Sequence, residues 1–134
     1  MNVRERIEKF LGAEVFGVAG ASTNREKFGN KVLRCYLENG KRVIGINPRA
    51  TEIEGAPCVA TVADLPPEVK SLSVITPPAI TEQVVAEAIS RGIENIWMQP
   101  GAQSPRAIAA CEEHGINVIA DGSCILVVLG YHDH

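Results

Sequence analysis

Apolar positions along this chain follow two rhythms in alternation: short continuous runs, and stretches in which they recur at three- and four-residue spacing. The second rhythm marks one face of a helix and the first a buried strand. From Asn2 to Leu11, the residues Val3, Ile7, Phe10 and Leu11 share a helical face, and Gly12 closes the segment. Ala13 to Ala19 then predicts a strand, and Phe28 to Asn39 a helix that turns Val32, Leu33, Tyr36 and Leu37 inward before Gly40. Arg42 to Ile46 predicts a second strand. Asn47 to Lys70 is the least regular part, with Glu54-Gly55 as a turn and Ala63-Asp64-Leu65 as a short helical piece ahead of Pro66-Pro67.

Leu72 to Ile75 predicts the third strand, and Val84, Val85, Ala88 and Ile89 mark a helix that stops at Gly92. Asn95 to Met98 follows as the fourth strand. Ser104 and Pro105 supply a cap and a first helical residue for a helix ending at His114-Gly115, and Asn117 to Ala120 is the fifth strand. Strands alternating with helices point to an α/β fold with a parallel sheet. Right-handed crossovers give, most simply, an open five-stranded sheet of order 3-2-1-4-5 with helices on both faces. The apolar start of Leu126 to His134 suggests an added edge strand or a surface that packs on another subunit.

Composition narrows the picture without changing it. A chain of 134 residues with 46% hydrophobic and 22% charged residues is expected to form one domain, 1–134, with neither a secretory segment nor a membrane span, and a cytoplasmic location is the default. A net charge of −3 argues against nucleic acid as a general partner, because such binding relies on a basic surface. Cys35, Cys58, Cys111 and Cys124 are widely spaced and give no zinc pattern, and most are expected to be buried small hydrophobes. His132-Asp133-His134 reads as a polar terminus rather than a chelating site.

In open α/β sheets ligands bind outside the carboxyl ends of the strands, where the winding reverses. Five loops are therefore candidates: Gly20 to Lys27, Asn47 to Ala50, Thr76 to Pro78, Gln99 to Ser104, and Asp121 to Cys124. In the first, VFGVAGASTNREKFG runs from a buried strand through a glycine turn into a helix start, an arrangement that collects backbone N–H donors and the positive end of a helix dipole around an anion. Gly17, Gly20 and Gly29 do not match the dinucleotide spacing G-x-G-x-x-G, but Gly20 suits a positive φ, Ala21 leaves room for a ligand, and the Ser22 and Thr23 hydroxyls suit phosphate. The second predicted strand ends in Asn47-Pro48-Arg49, where NAD-binding domains carry an acid for the ribose. Arg49 suits instead a phosphate on the ribose, as in NADP or coenzyme A, or a plain solvated surface. Thr76-Pro77-Pro78 and Gln99-Pro100-Gly101 offer rigid turns, the walls of a groove rather than an acid and a base.

VFGVAGAST, Lys27-Phe28-Gly29, VIGINPRATEIEG, DLPPEV, VITPPAITEQVVAEAISRGIENIWMQPGA and the late Cys124-Ile125 together resemble the small stand-alone CoA-binding family, similar to the N-terminal CoA-binding domain of the succinyl-CoA synthetase alpha subunit. The resemblance covers about Asn2 to Ile125. It implies a Rossmann-like domain that binds coenzyme A or an acyl-CoA across the carboxyl edge of the sheet, with no catalytic and no metal-binding residues. Matched position by position, it implies Gly20, Ala21, Ser22 and Thr23 for the phosphate loop and Lys27 as the basic residue after it. Asn47, Pro48 and Arg49 fall near the adenosine portion, Thr76, Pro77 and Pro78 in the third loop, and Gln99, Pro100 and Gly101 beside the pantetheine. The family commonly carries Asp-x-Cys after the fifth strand, whereas this chain has Asp121-Gly122-Ser123-Cys124. The resemblance leads to the expectation of a non-catalytic binding, carrier or sensor module, with a homo-oligomer or another protein as further partner. A small NADP-dependent oxidoreductase and a nucleotide-gated interaction module are the alternatives.

Overall fold

The computed structural model describes residues 1–131. Helix α1 (Val3–Leu11) starts at a capping box, in which the Asn2 side chain accepts from the Glu5 N–H at 2.9 Å and Glu5 accepts from the Asn2 N–H at 3.3 Å. Strand β1 (Val15–Ala19) leads to helix α2 (Phe28–Glu38) and strand β2 (Arg42–Ile46). Glu54 and Gly55, both at positive φ, form the turn of a hairpin between β3 (Glu52–Ile53) and β4 (Ala56–Val59). A 3-10 turn at Val62–Asp64 precedes β5 (Val69–Val74), α3 (Pro78–Arg91), β6 (Asn95–Met98), α4 (Pro105–Glu113), β7 (Asn117–Ile119) and α5 (Ile125–Leu129).

The strands form one sheet in the order β3-β4-β2-β1-β5-β6-β7, parallel except for the β3–β4 hairpin, and the fold is Rossmann-like. The α/β class is as expected, but five strands in the order 3-2-1-4-5 are not what the chain forms. The segment expected as third strand, Leu72 to Ile75, overlaps β5 and lies beside β1 rather than beyond β2. Its expected seat is taken by β4, which falls in the stretch that reads as irregular. Only four residues long and carrying Pro57, β4 lacks the alternating pattern of an independent strand. Its pairing with β2, Gly45 to Cys58 and Ile46 to Val59, sets it in the sheet.

A second correction concerns the carboxyl-terminal segment, whose described residues form helix α5 and no edge strand. Ile125, Val127 and Val128 favour strands by propensity, but tertiary contacts override that preference. The Ile125 N–H donates to Gln99 Oε1 at 2.9 Å, and the N–H groups of Val127 and Val128 donate to the Cys124 carbonyl.

Two apolar layers cover the sheet. On one face α1, α2 and α5 bury Phe10, Phe16, Tyr36, Trp97 and Ile125; on the other α3, α4 and the 3-10 turn bury Leu72, Val74, Val85, Ile96 and Val118. The first layer contains a ring cluster, with Phe10 edge-on to Trp97 at 5.3 Å and Phe16 stacked on Tyr36 at 4.8 Å. Helix α2 leaves β1 on one face and α3 leaves β5 on the other, so the winding reverses between two adjacent strands.

At the reversal the first turn of α2 lies against the end of β1. A Cβ on Gly29 would stand 1.9 Å from the Gly20 carbonyl oxygen, a collision with backbone that no rotamer relieves. Gly29→Ala is expected to destabilise the fold by about 3 kcal/mol, and Gly40→Ala, which meets nothing within 4 Å but has φ +70, by about 1 kcal/mol. Urea denaturation of the two variants checks this ordering.

Candidate functional site

Strand register draws the carboxyl edge as a single line. Val59 pairs with Ile46, Ile46 with Ala19, Ala19 with Val74, and Val74 with Met98, so the loops after β4, β2, β1, β5 and β6 leave the sheet side by side. This row brings Gly20, Asn47, Thr76 and Gln99 to one edge, though 79 residues separate the first from the last.

The loop after β1 is held by its own polar groups. Gly20 has φ +95, and a Cβ there would meet the Ile75 backbone at 3.2 Å. The Ala21 carbonyl accepts from Asn47 Nδ2 at 3.0 Å, and Asn47 Oδ1 in turn accepts from the N–H groups of Arg49 and Ala50. Asn47 thus ties the loop after β2 to the loop after β1. Ser22 Oγ accepts from the Asn24 N–H at 3.1 Å, which leaves its hydroxyl proton to donate elsewhere. Asn24 Oδ1 accepts from the Glu26 N–H, and the Asn24 carbonyl from the Lys27 N–H.

Helix α2 opens on this loop without a side-chain cap. Lys27 sits at the cap position in an extended conformation, contributes no acceptor, and the first turn contains no acidic residue. Its first N–H donors and dipole therefore remain available to an anion from outside the helix. Helix α3 differs: Pro77 at its cap and Pro78 at its first position bring no N–H groups, while Thr76 and Thr81 join their hydroxyls at 2.8 Å. Thr76, Pro77 and Pro78 form a wall, and the donors lie across the edge at α2.

A pocket of about 260 Å³ opens beside that wall on the α3 face, bounded by Gly20, Ala21, Ile46, Pro48, Val62 and Ile80. Its apolar lining and size suit a flat ring system. Larger hollows of about 300 to 440 Å³ lie elsewhere, among them one against Ser90 and Arg91 and one among Lys9, Glu68, Lys70 and Glu94, and none of these touches the loop after β1.

Thr23, Lys27 and Arg49 are exposed around the same edge, and among the described residues neither cation is paired with a carboxylate. Pro100 and Gly101 are exposed after β6. Gln99 is different: it is fully buried, its Oε1 holds the start of α5, and its Nε2 has no hydrogen-bond partner. Neither periodicity nor motif spacing singles out Ile46, Val62 or Ile80 for the pocket, nor Arg25, Asn30 and Glu54 around the loop. The spacing of Ile80, Gln83, Val84 and Glu87 on one helical face is the signal that marks the α3 side of the pocket.

A family model described as a CoA binding domain matches residues 14–130. The chain belongs to the CoA-binding domain family. It is similar to an ADP-forming acetate–CoA ligase of Archaeoglobus fulgidus, 23% identical in an alignment 123 residues long that covers 84% of this chain and 18% of the ligase. The chain spans about a fifth of the length of the curated relatives it matches. A conserved hypothetical protein of Pyrococcus furiosus is 36% identical with a TM-score of 0.81, covering 86% of this chain and 98% of that one. A Thermus thermophilus protein is 31% identical with a TM-score of 0.81, covering 96% of each chain.

In this CoA-binding domain the cysteines divide into two pairs. Cys35 and Cys111 are fully buried, and burial pushes both thiols up to about 11. Cys58 and Cys124 are half-buried, so two of the four rather than most are fully buried, and burial also raises the Cys58 thiol. Cys124 stands before α5, on the sheet face opposite the 260 Å³ pocket, where Cys35 Sγ lies 3.9 Å from the Ile125 carbonyl oxygen. Asp121, in the same loop, accepts from the Ser123 N–H, and its hydrogen bonds to Ser123 hold its carboxyl below the usual range. His114 is exposed with Nδ1 2.9 Å from the Ala110 carbonyl oxygen, and His132, Asp133 and His134 lie outside the described residues. Among the described residues no helix is long and apolar enough to cross a membrane.

At pH 8, without denaturant, an aromatic disulfide reagent is expected to modify Cys124 and Cys58 first and to leave Cys35 and Cys111 intact until the protein unfolds. Peptide mass mapping of partly labelled protein checks this order.

Proposed function

We propose that this domain binds coenzyme A or an acyl-CoA across the carboxyl edge of its sheet, as a binding, carrier or sensor module that performs no chemistry itself. The observation that carries the proposal is the uncapped, acid-free start of α2, drawn against the end of β1 by Gly29 at the point where the winding reverses. The pyrophosphate meets the N–H groups of that turn and the Ser22 hydroxyl, in a cradle whose closeness a Cβ on Gly29 would destroy. The adenosine portion fills the pocket bounded by Ile46, Pro48 and Ile80, with Arg49 beside its 3′-phosphate. The pantetheine runs past Thr76 towards Pro100 and Gly101.

The family assignment supports this ligand, and the absence of a carboxylate in Asn47-Pro48-Arg49 favours a phosphorylated ribose over a free one. The acetate–CoA ligase of Archaeoglobus fulgidus is about five times longer than the shared region, and its activity is not carried over to this chain.

Calorimetric titration of ligand-free protein with CoA, NADP and NAD tests the proposal. CoA is expected to bind most tightly, and tight NAD binding without a response to CoA overturns it. Lys27→Ala and Arg49→Ala are each expected to weaken CoA binding by about 1 to 3 kcal/mol. The Arg49 change should have less effect on dephospho-CoA, which lacks the 3′-phosphate. Equal losses for the two ligands would remove Arg49 from that role.

A further inference from the structure

At the tip of the β3–β4 hairpin Glu54 has φ 52, in the left-handed region that favours glycine and asparagine. A longer acidic residue there has poor local justification. The residue is exposed at the turn, but its side chain lies against the loop after β1 and retains 21% of its exposure. Its carboxylate accepts from Arg25 and, at 3.3 Å, from Asn30 Nδ2. Asn30 Nδ2 also donates to the Ser22 carbonyl at 2.8 Å, Asn30 Oδ1 accepts from Arg34 Nε at 2.7 Å, and Arg34 Nη2 donates to the Arg25 carbonyl at 2.9 Å. The contacts close into a ring that grips the loop at Ser22 and at Arg25. Asn30 is fully buried and Arg34 nearly so, which makes the ring rigid on its helix side. Glu54 is the member contributed by a separate element, and its carboxyl is held below the usual range chiefly by the hydrogen bond from Asn30.

We infer that Glu54 is a positioning residue for phosphate binding: from the hairpin it clasps Arg25 and Asn30 and so fixes the Ser22–Lys27 loop in its anion-accepting form. The inference rests on the proposed CoA site. It has a consequence opposite to simple electrostatics. A carboxylate near a phosphate site opposes an anionic ligand, so neutralising it should strengthen binding if its charge were all that mattered. If it positions the loop, losing the carboxylate weakens binding despite the improved charge balance.

Glu54→Asn separates the two, since asparagine accepts the left-handed backbone of the turn but is too short to keep both contacts. Affinities for CoA, ADP and adenosine are measured by calorimetry, with melting temperatures alongside, for wild type, Glu54→Asn and Glu54→Gln. Glu54→Asn is expected to bind CoA and ADP about tenfold more weakly, with adenosine within about twofold of wild type and the melting temperature unchanged. Glu54→Gln, which keeps the length and an acceptor oxygen, is expected to recover most of that loss. Tighter or unchanged ADP binding in Glu54→Asn overturns the inference, as does an equal loss for adenosine. A fall in melting temperature for both variants, with normal ADP affinity in the folded fraction, also overturns it. Wild-type protein that binds none of the three ligands would instead refute the proposed site and is read separately.

Discussion

The approach of α2 to the end of β1 is the constraint on which the rest of the site depends. With Gly29 placed so that a Cβ would lie 1.9 Å from the Gly20 oxygen, the helix starts almost in contact with the strand that feeds it. Val32, Leu33 and Tyr36 seat the following turns on the sheet, and Phe16 stacks on Tyr36 beneath them. The aim of the helix dipole is therefore set by core packing and not by the exposed loop. A loop residue can change without moving the dipole, but a change at Gly29 moves the helix itself.

Helices α2 and α3 begin at this edge on either side of the winding reversal, and of these two only α2 is equipped to receive charge. Helix α3 begins at Pro77-Pro78 and spends its first polar side chains on a Thr76–Thr81 contact, whereas α2 begins at Lys27 with neither a capping side chain nor an acid. The polar donors and the apolar pocket therefore lie on opposite sides of the winding reversal. A ligand that joins a ring system to a phosphate group uses both, while an isolated phosphate or an isolated ring uses one. The same division shows how a protein of net charge −3 can offer local positive potential: backbone at one helix start and a few exposed cations supply it, not overall charge.

Local pattern carries far into this fold and then stops. The spacing of Val32, Leu33 and Tyr36 and the run Val15 to Ala19 mark a helix and a strand because both bury one contiguous apolar surface, which periodicity detects. Strand β4 escapes because it is short, contains Pro57 and gains its identity by pairing with β2. Helix α5 escapes because Ile125 to Leu129 has the composition of a strand, and its helical form depends on Gln99, 26 residues earlier. The candidate edge is legible at Gly20, Asn47 and Thr76, since each follows an apolar run. The ring through Arg25, Asn30, Arg34 and Glu54 leaves no such trace, because Arg25 and Glu54 are 29 residues apart and meet only when the hairpin folds back.

The bonding within the loop bears on what it can recognise. Ser22 Oγ, Asn24 Oδ1 and Asn47 Oδ1 all serve as acceptors for backbone N–H groups, and the Ala21 and Ser22 carbonyls accept from Asn47 and Asn30. The neutral side-chain acceptors of the loop are thus engaged by the fold and the Glu26 carboxylate is exposed, whereas the Ser22 hydroxyl proton and the first N–H groups of α2 are left for a ligand. Where N–H and O–H donors converge at the helix start, charge and hydrogen-bond polarity favour an oxyanion over a neutral or cationic group. Because the loop is already ordered by these bonds, a ligand need not supply the free energy of ordering it, and more of each new contact appears as affinity.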